Sequence, residues 1–373
     1  MYAQRRAADA AKRLLRTASH RLMTPDPTTD RAVTQGLDRS LDWSLGDAEV
    51  RPYTGRSFEP NFSEMEGRSL AFQVQPFSRG LSADDQREIA NGTVRSLVQE
   101  HFGPTPLRWL DGRSEGMRSH YGTSRGMGAR YALGLDQNGL REVSSSYEWG
   151  PGVLDLLPSP VMSLARIALD HLPQLRPFAT TIRCSAYSGG QQISFELPFE
   201  ARLDDFKPLM EALGMGERHG GFVMLMAFVL GARFKLPPDV ATLTLLHTQT
   251  GPEMRLDVNI DALPDAPEQL LPLLRLPLTE RPQHLAALDS WMTAMTPEGY
   301  FGPGSVTVLS VRVRPAMQAR LALFLRPLAL DAALPAESGV MPTPPVEPVI
   351  APPTQQPSGA PAAERVYRPQ HLH

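Results

Sequence analysis

Arginine at alternate positions of extended stretches is the first chemical signal in this sequence. Arg183 shares a parity with Thr181, Ser185 and Tyr187, Arg255 with Asp257, Asn259 and Asp261, and Arg312 with Ser310 and Arg314. The intervening positions are Ile182, Cys184 and Ala186, then Met254, Leu256, Val258 and Ile260, then Leu309, Val311 and Val313. A period of two gives a strand two faces in different surroundings. One face here asks for a hydrophobic cover and the other presents guanidinium groups. Buried arginines need anionic partners. Asp257, Asp261 and Glu196 could supply some, and an anionic ligand the rest.

The bulk properties narrow the classes open to such a chain. Its 373 residues suffice for one large or two ordinary domains, and 42% hydrophobic and 21% charged residues are globular values. A net charge of −3 argues against a surface built to bind nucleic-acid backbone. Among 37 basic residues only Lys12, Lys207 and Lys235 are lysine, which fits coding bias, so arginine abundance alone signals nothing. The single cysteine, Cys184, excludes an intramolecular disulfide and a thiolate zinc site, and the nine scattered histidines give a metal little support. The strongest apolar run, Gly221 to Gly231, is too short to span a bilayer. No apolar core follows the basic N-terminus to make a secretory signal, and a cytoplasmic protein is expected.

The elements that must position the arginines come in a repeating order. Residues 1–23 predict a basic surface helix and 24–50 a polar linker. Hairpins are predicted over Arg56 to Pro76, Arg130 to Trp149, Ala179 to Leu197, Ala241 to Asp261 and Gly304 to Arg326. The second turns at Asp136-Gln137-Asn138-Gly139, where Asn-Gly is a strong hairpin signal. Helices are predicted from the Ser82 N-cap to about His101, over Ser159 to His171, Leu203 to Leu213 and Gly221 to Leu230, and around Glu268 to Leu274 and Gln283 to Met295. Residues 103–128 are hard to assign, with a short strand at Leu107 to Leu110. Beyond residue 330 the composition turns to Pro, Ala, Gln and Thr, giving a disordered tail over 331–373.

Five hairpins with helices between them predict an α+β fold. The alternation leaves two arrangements open. In an open sheet with one wet face, the arginines are ordinary surface residues. In a closed barrel of about ten antiparallel strands, helices ring the outside and the mixed faces line a lumen with space for a ligand.

The chain resembles the ABBA-type aromatic prenyltransferases, in their indole (dimethylallyltryptophan synthase-like) branch. The local match is FEPNFSE (Phe58 to Glu64) followed by SLAFQVQP (Ser69 to Pro76), with SVRV and ALFLRP resembling the closing hairpin. The resemblance implies a single barrel domain over 51–330. It also implies a reaction: a prenyl diphosphate ionises, and an electron-rich aromatic acceptor attacks the allylic cation. Glu59 matches the catalytic glutamate that accepts an indole N–H. Arg183, Arg255 and Arg312 are the candidates to hold the diphosphate. Tyr147, Trp149, Tyr187 and Phe324 are the candidates to shield the cation or line the pocket. No metal cofactor is implied, since Asp84-Asp85 and Asp204-Asp205 lack the third aspartate of a DDxxD motif. The implied partners are a prenyl diphosphate and a small aromatic or peptide acceptor.

The sequence departs from the pattern at Ala71, where the family often has arginine, and at Ser145-x-Tyr147-x-Trp149, where it has Lys-x-Tyr. Two other readings therefore stand beside the enzyme. One is a non-catalytic binding or accessory barrel. The other is an α+β scaffold acting through its Pro-rich tail.

Overall fold

Alternating faces close into a cylinder when every strand edge finds a partner, and that is the arrangement in the computed structural model. The structure describes residues 7–41, 58–76, 81–119, 129–150, 152–267 and 270–331. Ten strands form a closed antiparallel barrel: β1 (Phe58–Ser63), β2 (Leu70–Val74), β3 (Ala129–Asp136), β4 (Gly139–Glu148), β5 (Arg176–Ser185), β6 (Gly189–Glu196), β9 (Ala241–Thr248), β10 (Gly251–Asn259), β11 (Gly304–Arg314) and β12 (Met317–Pro327). The short strands β7 (Ala201–Arg202) and β8 (Lys235–Leu236) pair with each other outside it. Barrel neighbours follow one another in sequence, with β7 and β8 passing between β6 and β9, except that β1 pairs with β12, matching Asn61 to Phe324 and Ser63 to Ala322.

The outward faces carry the apolar residues. Tyr131, Leu133 and Leu135 of β3, Val143 of β4, Leu256 and Val258 of β10, and Leu321, Leu323 and Leu325 of β12 are buried. The helices cover them: α3 (Ala83–His101), α4 (Pro104–Ser119), α5 (Ser159–His171), α6 (Lys207–Ala212), α7 (His219–Val229), α8 (Leu270–Arg275), α9 (Pro282–Met295) and α10 (Leu328–Asp331), preceded by α1 (Ala7–Leu22) and α2 (Pro27–Leu37). The Ser82 cap of α3 is a full capping box with Asp85, which occupies two amide donors left open at the first turn.

Three expectations change. Residues 27–37, expected in a linker, form α2, with Asp26 accepting from the Thr28 amide and proline in the first turn. The basic N-terminal helix buries Ala7, Ala11, Leu14, Leu15 and Ala18, and Arg21 donates to the Thr296 carbonyl beyond α9 at 2.9 Å. It is part of the packed shell. Leu107 to Leu110 lies in α4, not in a strand. The Pro-rich tail from residue 332 onward lies outside the described residues.

Candidate active site in the barrel lumen

The inward faces enclose a cavity of about 200 Å³. Its middle is lined by small polar side chains, including Asn61, Gln73, Ser144, Thr181, Gln192 and Ser194. Neighbouring strands link these hydroxyls, Ser146 to Thr181 at 2.7 Å and Ser194 to Thr244 at 2.8 Å.

Arg141, Arg183, Arg255 and Arg312 gather toward the end where the hairpins turn, while Arg130 lines the cavity nearer its other end. Arg255 on β10 lies directly opposite Arg312 on β11, and Arg312 lies opposite Arg320 on β12. Like charges facing each other across strands destabilise a sheet, so this row calls for anions. Asp257 meets Arg255 at 3.0 Å, while Glu66 comes only within 3.8 Å of Arg312. The Nε atoms of Arg255 and Arg312 and an Nη of Arg320 are buried without a hydrogen-bond partner. Burial pulls the Arg312 guanidinium below its ordinary range, Glu66 opposes this, and the repulsion of Arg255 and Arg183 reinforces it. Arginine stays protonated in proteins, so the direction marks a charge that its surroundings under-compensate.

Arg183 is better matched. It donates from Nε and Nη2 to both oxygens of Glu142, at 3.1 and 2.7 Å. Burial opposes its charge, but Glu142, Glu253 and Glu66 together outweigh burial and raise its affinity for the proton. Arg314 pairs with the buried Glu253 in the same region. Arg141 reaches over Gly134, where an added Cβ would stand 3.1 Å from its Nη2, to bond Glu66 at 2.8 Å.

Glu59 is buried on β1, with Gln73 donating to Oε2 and Thr307 to Oε1, the latter at 2.7 Å. Gln73 lines the cavity, so Glu59 sits behind an amide at the lumen wall. Each carboxylate oxygen can accept a second hydrogen bond. Phe324 faces the cavity together with Arg183, Arg255 and Arg312.

The other three expected pocket residues lie elsewhere. The Tyr147 hydroxyl donates to Asn91 of α3 at 2.7 Å, on the outside of the barrel. Its strand is registered so that Val143, Ser145 and Tyr147 pair with the outward Leu133, Tyr131 and Ala129, which leaves Ser144 and Ser146 to the lumen. Trp149 borders a separate apolar cavity with Leu154 and Ala165, Leu169 of α5. Tyr187 stands fully exposed in the β5–β6 turn. Among the residues lining the lumen cavity the aromatic ones are Phe178, Phe324 and Tyr131, and the Tyr131 hydroxyl points outward to Ser40 at 2.6 Å.

Sequence reasoning missed Arg141, Arg320 and Glu66. Arg320 shares the parity of Ala322 and Phe324 and was legible from it. Among the described residues no group of three or more His, Cys, Asp or Glu could hold a metal ion, and no helix is long and apolar enough to cross a membrane.

A closed ten-stranded barrel of consecutive hairpins with a helical shell is the fold of the ABBA-type aromatic prenyltransferases. Solved structures carry the likeness. The 6-dimethylallyltryptophan synthase from Micromonospora olivasterospora, solved with DMASPP and Trp, has a TM-score of 0.67 at 13% identity over 87% of this chain and 98% of its own. The prenyltransferase PriB with product diphosphate gives 0.65 at 16% identity, covering 87% and 96%. The 5-dimethylallyltryptophan synthase from Streptomyces coelicolor gives 0.61 at 12% identity, covering 87% and 98%. No family model and no curated protein matches the sequence.

Proposed function

We propose that the chain is an aromatic prenyltransferase that moves an allylic prenyl group from a diphosphate to an electron-rich aromatic acceptor inside the barrel. The observation that carries this reading is the row Arg255, Arg312 and Arg320 with its unmatched guanidinium nitrogens, set at one end of a closed lumen. A prenyl diphosphate supplies the missing negative charge. As the allylic C–O bond breaks, its electron pair leaves with the diphosphate, where Arg183, Arg255 and Arg312 stabilise the growing charge. The barrel wall keeps water from the cation, and Phe324 offers it a ring face. The acceptor carbon forms the new bond and then gives its proton to the departed diphosphate, which restores aromaticity. With the Gln73 amide turned aside, Glu59 accepts a hydrogen bond from the acceptor N–H, which raises the ring's electron density.

The test is incubation with dimethylallyl diphosphate and a panel of indoles and phenols, following diphosphate release and product mass. Arg255→Ala should lower turnover about 100-fold, the size of effect seen when a charge-stabilising donor is removed. Failure of every acceptor, with no detectable binding of the diphosphate, would sink the reading.

A second reading is favoured by the lumen's scarcity of aromatic rings. With Tyr147, Trp149 and Tyr187 outside it, the cavity is a girdle of hydroxyls and amides, which suits a barrel that binds a polar anion without turnover. Tight binding of the prenyl diphosphate with no release in any mixture would select this alternative.

A further inference from the structure

Four carboxylates face the arginine end of the lumen, and three of them are fixed by the sheet: Glu142 on β4, and Glu253 and Asp257 on β10. Glu66 alone among these is carried by a turn. The β1–β2 connection is anchored on one side by Glu64, whose Oε2 accepts from the Leu321 amide at 2.8 Å and from Arg281 of the α8–α9 connection at 3.1 Å. On the other side it passes through Gly67, which has a φ of +58° and open space around its Cα. Glu66 hangs between these two points with its side chain in the lumen.

Its contacts are those of an anion in a guanidinium clamp. Oε2 takes a hydrogen bond from Arg141, and Oε1 stands 3.8 Å from Arg312 Nη1 without forming one. Burial works against its charge, yet Arg312, Arg141 and Arg183 outweigh burial and hold its carboxyl below the usual glutamate range. The cavity beside it is about 200 Å³, and Glu66 occupies the part of it between Arg312 and Arg141.

We propose that Glu66 is an internal competitor for the ligand's anionic group: it holds the seat between Arg312 and Arg141, and an entering phosphate group takes that seat by displacing it, with the β1–β2 turn swinging at Gly67. The proposal rests on the reading of the arginine end as a diphosphate site, and it adds a charge threshold to that site. A weakly charged anion does not repay the loss of Glu66, whereas a diphosphate does.

The experiment is calorimetric titration of the full chain with inorganic diphosphate and, separately, inorganic phosphate. The unaltered protein is compared with Glu66→Gln and Glu66→Asp, and native melting is checked for each. Glu66→Gln should bind diphosphate about tenfold more tightly, since a charge-assisted contact of this kind is worth about 1.5 kcal/mol or more. It should also discriminate less against phosphate. Glu66→Asp, which keeps the charge but withdraws it from Arg312, should gain about threefold on the same scale. If Glu66→Gln does not fold, the sign of the Glu66→Asp change decides. Unchanged or weaker diphosphate binding in the folded variants, with the unaltered protein binding normally, overturns the competitor and leaves the diphosphate site standing. No diphosphate binding by any of the three proteins overturns both.

Discussion

Arg320 shows how much can be learned from a single residue, one whose register opposite Arg312 puts it on the inward face of β12, outside the residues that line the cavity. It closes the row begun by Arg255 and Arg312, and one of its terminal nitrogens is buried without a partner. Arg320→Gln keeps most of the side-chain volume and removes the charge. It should weaken inorganic diphosphate binding about tenfold while leaving thermal stability unchanged or slightly raised, because like charges opposed across strands are relieved. Titration and melting of the same sample read both effects, and a large fall in melting temperature would show that Arg320 serves the scaffold. The inward placement of Arg183, Arg255, Arg312 and Phe324 was legible because period-two alternation fixes which side of a strand a residue takes. Arg141 was not legible, because it enters the site across Gly134 beside a register shift, and Glu66 was not, because a turn brings it in. Neither feature leaves a periodic trace.

At the scale of elements, β4 shows how a correct hairpin can be read with the wrong face inward. The triplet Ser145, Tyr147 and Trp149 suggests a pocket wall, but Val143 has the same parity and is buried on the outward face, opposite Leu133. Tyr147 accordingly meets Asn91, and burial raises its phenol above the ordinary tyrosine range. Tyr147→Phe should cost about 1 kcal/mol of stability, the net worth of one hydrogen bond, and leave any prenyl transfer rate as it was. Urea unfolding and a single-substrate assay measure the two, and a drop in rate without loss of stability would contradict this placement. The hairpins and most helices were legible in sequence, whereas α4 was not. Helix α4 reads PTPLRWLDGRSEGMRS, with prolines at its start and glycines within, so its helicity comes from packing against α3 more than from propensity. The ion pair between Arg95 of α3 and Asp111 of α4, at 2.8 Å, belongs to that packing. Helix α2 did carry a signal, in Asp26-Pro27 at its start.

For the whole molecule, closure is the property on which every functional reading depends, and it runs through one seam. Phe62 meets Leu323 and Ser63 meets Ala322 where the first strand joins the last. A chain ending at residue 315 loses β12 and exposes unpaired edges on β1 and β11. Such edges template association with other chains. This truncated protein should aggregate on expression, as judged by solubility and size-exclusion chromatography, and a soluble monomer would show that the open sheet is self-sufficient. The seam also sets an order in time. Synthesis delivers β1 first among the barrel strands and β12 last, so the growing chain carries an unsealed edge until the last barrel strand has been made. Pairing ends so far apart in sequence makes assembly slow as well as late. The same closure that shelters the arginine row therefore exposes the nascent protein to wrong partners for most of its synthesis, and a host short of chaperones should yield it chiefly as inclusion bodies.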